Sequence, residues 1–200
     1  MADLKKAMAL VAACVFLTAC GAKAETTTDP YEGVTPDFRN VNWGMSVDEV
    51  KAREESEPSK DENGILKYVN QSVIGLDCSL EYQFYTENNT LNGAEYRINI
   101  DKLSHKEIHD SFVKLYNQLS EKYGEPTDLK FSVQDTKDNF YFNITDEVPA
   151  DMEYKSAVYS AKWDKSDISI TLRTEFSGAS PQWIELKYRV ELPAEVDENI

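Results

Sequence analysis

The chain has 200 residues, of which 36 are acidic and 21 basic, giving a formal net charge of −15 and a pI near 4.5. So large an acidic surplus repels phosphate backbones and argues against general nucleic-acid binding, and three cysteines are too few for a disulfide framework. An apolar fraction of 41%, with 11% aromatic residues, is enough to pack the core of one domain or two small ones.

Met-Ala-Asp-Leu-Lys-Lys opens the chain and an uncharged apolar run follows over 7–19. Spanning a bilayer takes about 20 apolar residues, so this run is too short for an anchor and suits the core of a signal peptide. It ends in Leu17-Thr18-Ala19-Cys20-Gly21, which resembles the lipobox of bacterial lipoproteins. The resemblance implies cleavage between Ala19 and Cys20 and attachment of a diacylglycerol to Cys20, with palmitate among the acyl chains. Cleavage after Ala22-Lys23-Ala24, a small-x-small site, is the plainer secretory alternative.

Removal of 1–19 would also remove Cys14, raise the charge to −16 and leave Cys78 as the one thiol besides Cys20. A thiol without a partner in an oxidising compartment is expected to be buried. The expected location is the extracytoplasmic face of a cell membrane or outer membrane. Gly21, where retained lipoproteins carry aspartate, resembles the outer-membrane pattern.

Residues 20–37 are Thr-rich and carry two prolines, the composition of a flexible tether. About 16 such residues would let the domain float some 20–25 Å from its anchor. The folded domain is expected over 38–192, followed by an acidic tail at 193–200.

Ser46 and Glu49 form a capping box, flanked by Met45 and Val50 as a hydrophobic staple. They predict a helix from Ser46 that Pro58 stops after about ten residues. A strand is expected over 65–69. Leu76, Cys78, Leu80, Tyr82 and Phe84 alternate with polar residues, and Ala94, Tyr96, Ile98 and Ile100 keep the phase beyond a turn at Asn88-Asn89. Ser104 and Glu107 repeat the capping box. The helix they start carries Ile108, Phe112, Leu115 and Leu119 on one stripe and ends at Gly124 and Pro126. Strands are then expected at 157–163, 168–176 and 184–192, each burying one face only, as antiparallel strands do.

The fold class is therefore α+β: an antiparallel meandering sheet with one long and one short helix packed on one face. Helix followed by meander occurs twice, over 43–101 and 104–192, so two repeats are conceivable. The pattern resembles beta-lactamase-inhibitor-like domains and outer-membrane-assembly lipoproteins, and the Trp43-Gly-Met-Ser start resembles other bacterial lipoproteins. That likeness carries no functional residue across.

His105 and His109 stand four apart on the second helix, where two imidazoles share a face, and Asp101 could supply a third ligand. Zinc proteases place glutamate after the first histidine, and Lys106 stands there instead. The plainer reading puts His105 in an exposed first turn and His109 beside the packed stripe, with no metal bound.

The stretch 59–70 has calcium-loop spacing but begins with Ser59 and ends with Asn70, so a polar turn fits better. No Gly-x-Ser-x-Gly or phosphate-cradling loop is present, and no cofactor is expected. Aromatics point elsewhere. Trp183 is out of phase with Ile184 and Leu186, Tyr85 with Phe84, and Phe140-Tyr141-Phe142 must turn at least one ring outward. Trp183, Tyr85 and Tyr141 are thus candidates for a binding surface.

The expected function is a membrane-anchored extracytoplasmic lipoprotein that binds or scaffolds, with an envelope protein or cell-wall component as partner and no catalysis. A metal-assisted enzyme working through His105 and His109 is the alternative. A solute-capture lipoprotein is a third reading, for which the chain is short.

Overall fold

The computed structural model describes residues 31, 33–177 and 183–190. The leader, Cys20 and the acidic tail lie outside the described residues. Contacts divide the chain into two units, Met1–Val34 and Thr35–Ile200, and every named element belongs to the second. Those elements are α1 (Val47–Arg53), β1 (Lys60–Glu62), β2 (Ile65–Val73), β3 (Leu76–Phe84), β4 (Leu91–Asn99), α2 (His105–Tyr123), β5 (Asp128–Asp135), β6 (Phe140–Tyr141), β7 (Tyr154–Asp164), β8 (Ile168–Ser177) and β9 (Trp183–Val190).

All nine strands join one antiparallel sheet in the order β1-β2-β3-β4-β9-β8-β7-β5-β6. The class is α+β, mostly sheet with two helices.

Both capping boxes form. The side chain of Ser46 accepts from the Glu49 amide while Glu49 reaches back to the Ser46 amide, and Ser104 and Glu107 do the same for α2. Each box satisfies two of the four amides that a helix start leaves unpaired.

α1 has seven residues, shorter than the sequence predicts, and Pro58 is not what ends it. Glu54 turns to an extended conformation at φ −88°, ψ 142°. Its carboxylate leaves the helix axis to meet the Tyr82 hydroxyl and, at 3.3 Å, the Arg39 guanidinium.

Two strands arise where the sequence suggests none. β1 is all charged and β5 opens on Asp-Leu-Lys; both lie at or beside a sheet edge, where one apolar face need not be filled. β1 and β2 form a hairpin around Asn63-Gly64, with φ of 53° and 69°. Two consecutive positive φ values mark the turn type that matches strand twist, and Asn-Gly is its preferred pair. The expected polar turn is therefore a hairpin turn, and Asp61 in it pairs with Lys51 of α1.

The β2–β3 hairpin uses the same geometry at Ile74-Gly75, φ 51° and 90°, with a β-branched residue where one is rarely tolerated.

The core lies on the sheet face bearing Tyr68, Leu80, Tyr96, Leu186, Leu172 and Ala161, consecutive cross-strand partners from β2 to β7. α2 packs there through Phe112 on Tyr159 (ring centroids 5.1 Å), His109 on Phe131 (5.7 Å) and Tyr116 on Trp163 (5.9 Å). The Trp163 indole donates to the Gly124 carbonyl at 2.8 Å, tying the helix end to β7. Phe38 packs against Tyr188, Tyr96 and Tyr82 at 5.0, 5.5 and 5.9 Å. Each fully buried aromatic of this kind contributes about 1.5–3 kcal/mol by its area alone.

Cys78 is buried in this phase, and burial pushes its thiol up to about 11.

One expectation fails at the centre. β4 is buried on both faces from Leu91 to Tyr96, because it has a full-length neighbour on either side and because its polar face carries ion-paired side chains that cover one another.

Candidate functional site

The side chains that alternate with the core form the second face of the sheet, and the registers fix their rows. One cross-strand row runs Lys67, Glu81, Glu95, Lys187, Thr171, Lys162, Asp128, from β2 to β5. The adjacent row runs Ser79, Arg97, Glu185, Arg173, Ser160, Lys130.

Charges of opposite sign meet along and between these rows. Glu95 accepts from Arg97 Nε at 2.5 Å and lies 3.4 Å from Lys187 Nζ. Arg173 Nε stands 3.0 Å from Glu185, and Lys67 Nζ lies 3.1 Å from Glu81. The Glu95 carboxylate is only 2% exposed, yet its partners Arg97 and Lys187 keep 40% and 29% of their side-chain surface in water. The bond from Glu95 holds the Arg97 guanidinium above its ordinary pKa. Buried anions with half-wet cations form a rigid, locally neutral surface on a strongly acidic chain.

Trp183 begins β9 opposite Asn99 and is 40% exposed. Arg97 lies over its ring, 5.5 Å from the centroid, so one indole face is capped by a cation. Beside it is a groove of about 790 Å³ lined by Trp183, Arg97, Lys67, Asn99, Asp77 and Asp101 among others. Its far wall comes from a bulge in β2, where the register jumps between Tyr68 and Gln71. Val69 and Asn70, which together oppose the single residue Ser79 across the bulge, stand at that wall, with Asn70 at φ 57° and Val69 45% exposed. Such bulges re-aim side chains and recur beside functional sites.

The other candidate aromatics go elsewhere. Tyr85 is half-buried and donates to the Val190 carbonyl at 3.1 Å, so its ring is tied into the sheet rather than turned wholly to solvent. Tyr141 is half-buried; Phe140 and Phe142 stack at 5.9 Å and are 53% and 64% exposed. Sequence phase therefore located Trp183 but not its neighbours. Arg97, Asn99 and Asp77 read as ordinary polar strand positions until β4 is known to pair with β9, and Asp101 reads only as a candidate metal ligand.

The histidines join a different network. His105 is half-buried, accepts through Nδ1 from the Tyr154 amide at 2.8 Å and stacks on the Tyr154 ring at 4.3 Å. An exposed first turn is thus not its setting. The Tyr154 hydroxyl donates to the His105 carbonyl at 2.8 Å and lies 2.5 Å from the Tyr159 hydroxyl, which in turn lies 3.5 Å from His109 Nδ1.

His109 is buried, and that burial pushes its pKa down; Tyr154 and Tyr159 are pushed up for the same reason. The trio His105, His109 and Asp101 does not converge: among the described residues no three His, Cys, Asp or Glu side chains are grouped to hold a metal ion. Asp101 lines the Trp183 groove.

No helix among the described residues is long and apolar enough to cross a membrane. Compared with known proteins, the chain matches no protein-family model, no curated protein and no solved structure.

Proposed function

We propose that this chain is a lipid-anchored extracytoplasmic binding module without catalytic activity, held by a diacylglycerol on Cys20 to a cell membrane or outer membrane. Two helix-plus-meander repeats, 43–101 and 104–192, meet at the β4–β9 pair. Their helices lie on one face of the sheet and leave the other for an envelope protein or a cell-wall component.

One observation carries this reading: at the centre of the polar face Glu81, Glu95 and Glu185 are ion-paired within the chain, and an exposed tryptophan stands at its end. A partner docking there covers charges already neutralised, so less desolvation opposes binding than on a face of free ions. Tryptophan and arginine are the side chains most often found at the energetic centre of interfaces.

The test places a photoreactive residue at Thr171, in the middle of that face, or at Gln118, exposed on α2, and irradiates intact cells. Adducts at Thr171 but not Gln118, lost from the membrane fraction on Cys20→Ala, support the proposal. Adducts only at Gln118, or membrane retention of the unlipidated Cys20→Ala chain, would overturn it.

A further inference from the structure

We propose that the groove beside Trp183 is a glycan site, taking a hexopyranose ring of a neutral, hydroxyl-rich polysaccharide against the indole. The proposal rests on the binding-module reading and names the ligand class for one end of that face. The groove, at about 790 Å³, has the size of small-molecule sites generally, and its chemistry excludes the other ligand classes in turn.

An apolar ligand is poorly served. Beyond Trp183 and Val69 the lining is almost all polar, with Lys67, Asn70, Asp77, Ser79, Arg97 and Asn99 among it. An anion meets Asp77 and Asp101, both exposed, with neither carboxylate engaged in a side-chain hydrogen bond or ion pair among the described residues. The two cations that might offset them are engaged: Lys67 by Glu81 at 3.1 Å, and Arg97 by Glu95 at 2.5 Å.

A cation would suit the two carboxylates, but the aromatic that should hold it already has Arg97 over its ring at 5.5 Å. A second positive charge there faces like-charge repulsion.

What remains is a neutral ligand with many hydroxyl donors. Asp77 and Asp101 can each accept from such hydroxyls. The Asn99 carbonyl oxygen is occupied by the Asp101 amide at 2.9 Å, so its NH₂ group is the part left to donate to a ring or hydroxyl oxygen. The axial C–H face of a pyranose packs on an indole without needing charge. The site is also held in place: Trp183 and Asn99 are strand partners, Arg97 is clamped by Glu95, and the β2 bulge forms the opposite wall. Little side-chain freedom is lost on binding, which favours affinity.

The experiment titrates the full chain, in detergent micelles, with three neutral hexasaccharides, β-1,4-linked glucose, β-1,4-linked N-acetylglucosamine and α-1,4-linked glucose, by calorimetry. Spermine and heparin serve as cationic and anionic probes. The expected result is saturable binding of at least one neutral glycan with Kd below about 1 mM. Trp183→Ala and Asp101→Ala should each weaken it at least tenfold with unchanged circular dichroism. Asp101 lies in a turn outside the strands, so its variant carries the test if Trp183→Ala unfolds.

The proposal is overturned by absence of saturation with all three glycans, by undiminished binding in the variants, or by binding of spermine or heparin alone. Protein adducts at Thr171 with no glycan binding would overturn this site and leave the binding module standing. Glycan binding with no Thr171 adducts would do the reverse for the face-wide surface.

Discussion

The short α1 offers the sharpest quantitative test, because the residue that ends it is also a buried anion. The Glu54 side chain is 2% exposed and is shared by the Tyr82 hydroxyl, itself fully buried, and the guanidinium of Arg39, an exposed residue. In Glu54→Ala the buried Tyr82 hydroxyl loses its acceptor, which costs about 1–3 kcal/mol. Arg39 keeps the Tyr96 hydroxyl at 3.3 Å and 27% of its side-chain surface in solvent, so its loss is discounted to about 0.5–1 kcal/mol.

The single variant should therefore be destabilised by about 1.5–4 kcal/mol. Tyr82→Phe, which removes one hydrogen bond to a charged acceptor, should cost about 1.5–3 kcal/mol. In the double variant no hydroxyl is stranded, so its cost should fall below that of Glu54→Ala alone, with a coupling larger than the cost of Tyr82→Phe, about 1.5–3 kcal/mol. Urea unfolding followed by circular dichroism, with unchanged denaturant slopes, measures each corner of the cycle. Additivity within about 0.5 kcal/mol would show that the pair does not hold α1 and refute the account.

Ile74→Asn should stabilise the chain by about 0.5–1 kcal/mol, since it relieves a β-branched residue at φ 51° and installs the preferred Asn-Gly turn; a lower urea midpoint would contradict this. His109, buried with a lowered pKa, makes the folded state bind fewer protons than the unfolded one. Its contribution is complete above the unfolded pKa of about 6.5 and is lost as pH falls below it. Burial is the main cause, with Lys106 adding to it and Asp110 and Asp146 opposing. His109→Gln should flatten the fall in urea midpoint between pH 7.5 and 5.5, and an unchanged slope would count against burial of a neutral imidazole.

Legibility in the sequence followed the strength of local signals. Both capping boxes, the alternation of β3, β7, β8 and β9 and the helical stripe of α2 could be read because each is fixed within a few residues. β1 could not, since an edge strand needs no apolar alternation to be paired, nor could β5, one strand in from the β6 edge, which opens on three exposed residues. α1 ended early because Glu54 answers to Tyr82, 28 positions away, and no local rule registers that.

The site divides in the same way. Trp183 announces itself by phase, whereas Arg97 over its ring depends on β4 lying beside β9. Tyr85, equally out of phase, is drawn inward by a carbonyl 105 positions away.

That central pairing also sets the order in which the sheet can be completed. β9 is the last strand in the chain but lies in the middle of the sheet, joining Ile98 to Ile184 and so closing a loop of 86 positions. Every other strand contact is with a near neighbour in sequence, so the two meanders can assemble early and separately. Until β9 arrives, however, β4 and β8 each present a long unpaired edge, and β4 is a strand that the finished sheet buries on both faces. In a polypeptide delivered N-terminus first, this leaves the half-made sheet open to pairing with another copy for as long as the final strand is awaited. The slow, non-local step of folding and the period of greatest aggregation risk therefore coincide.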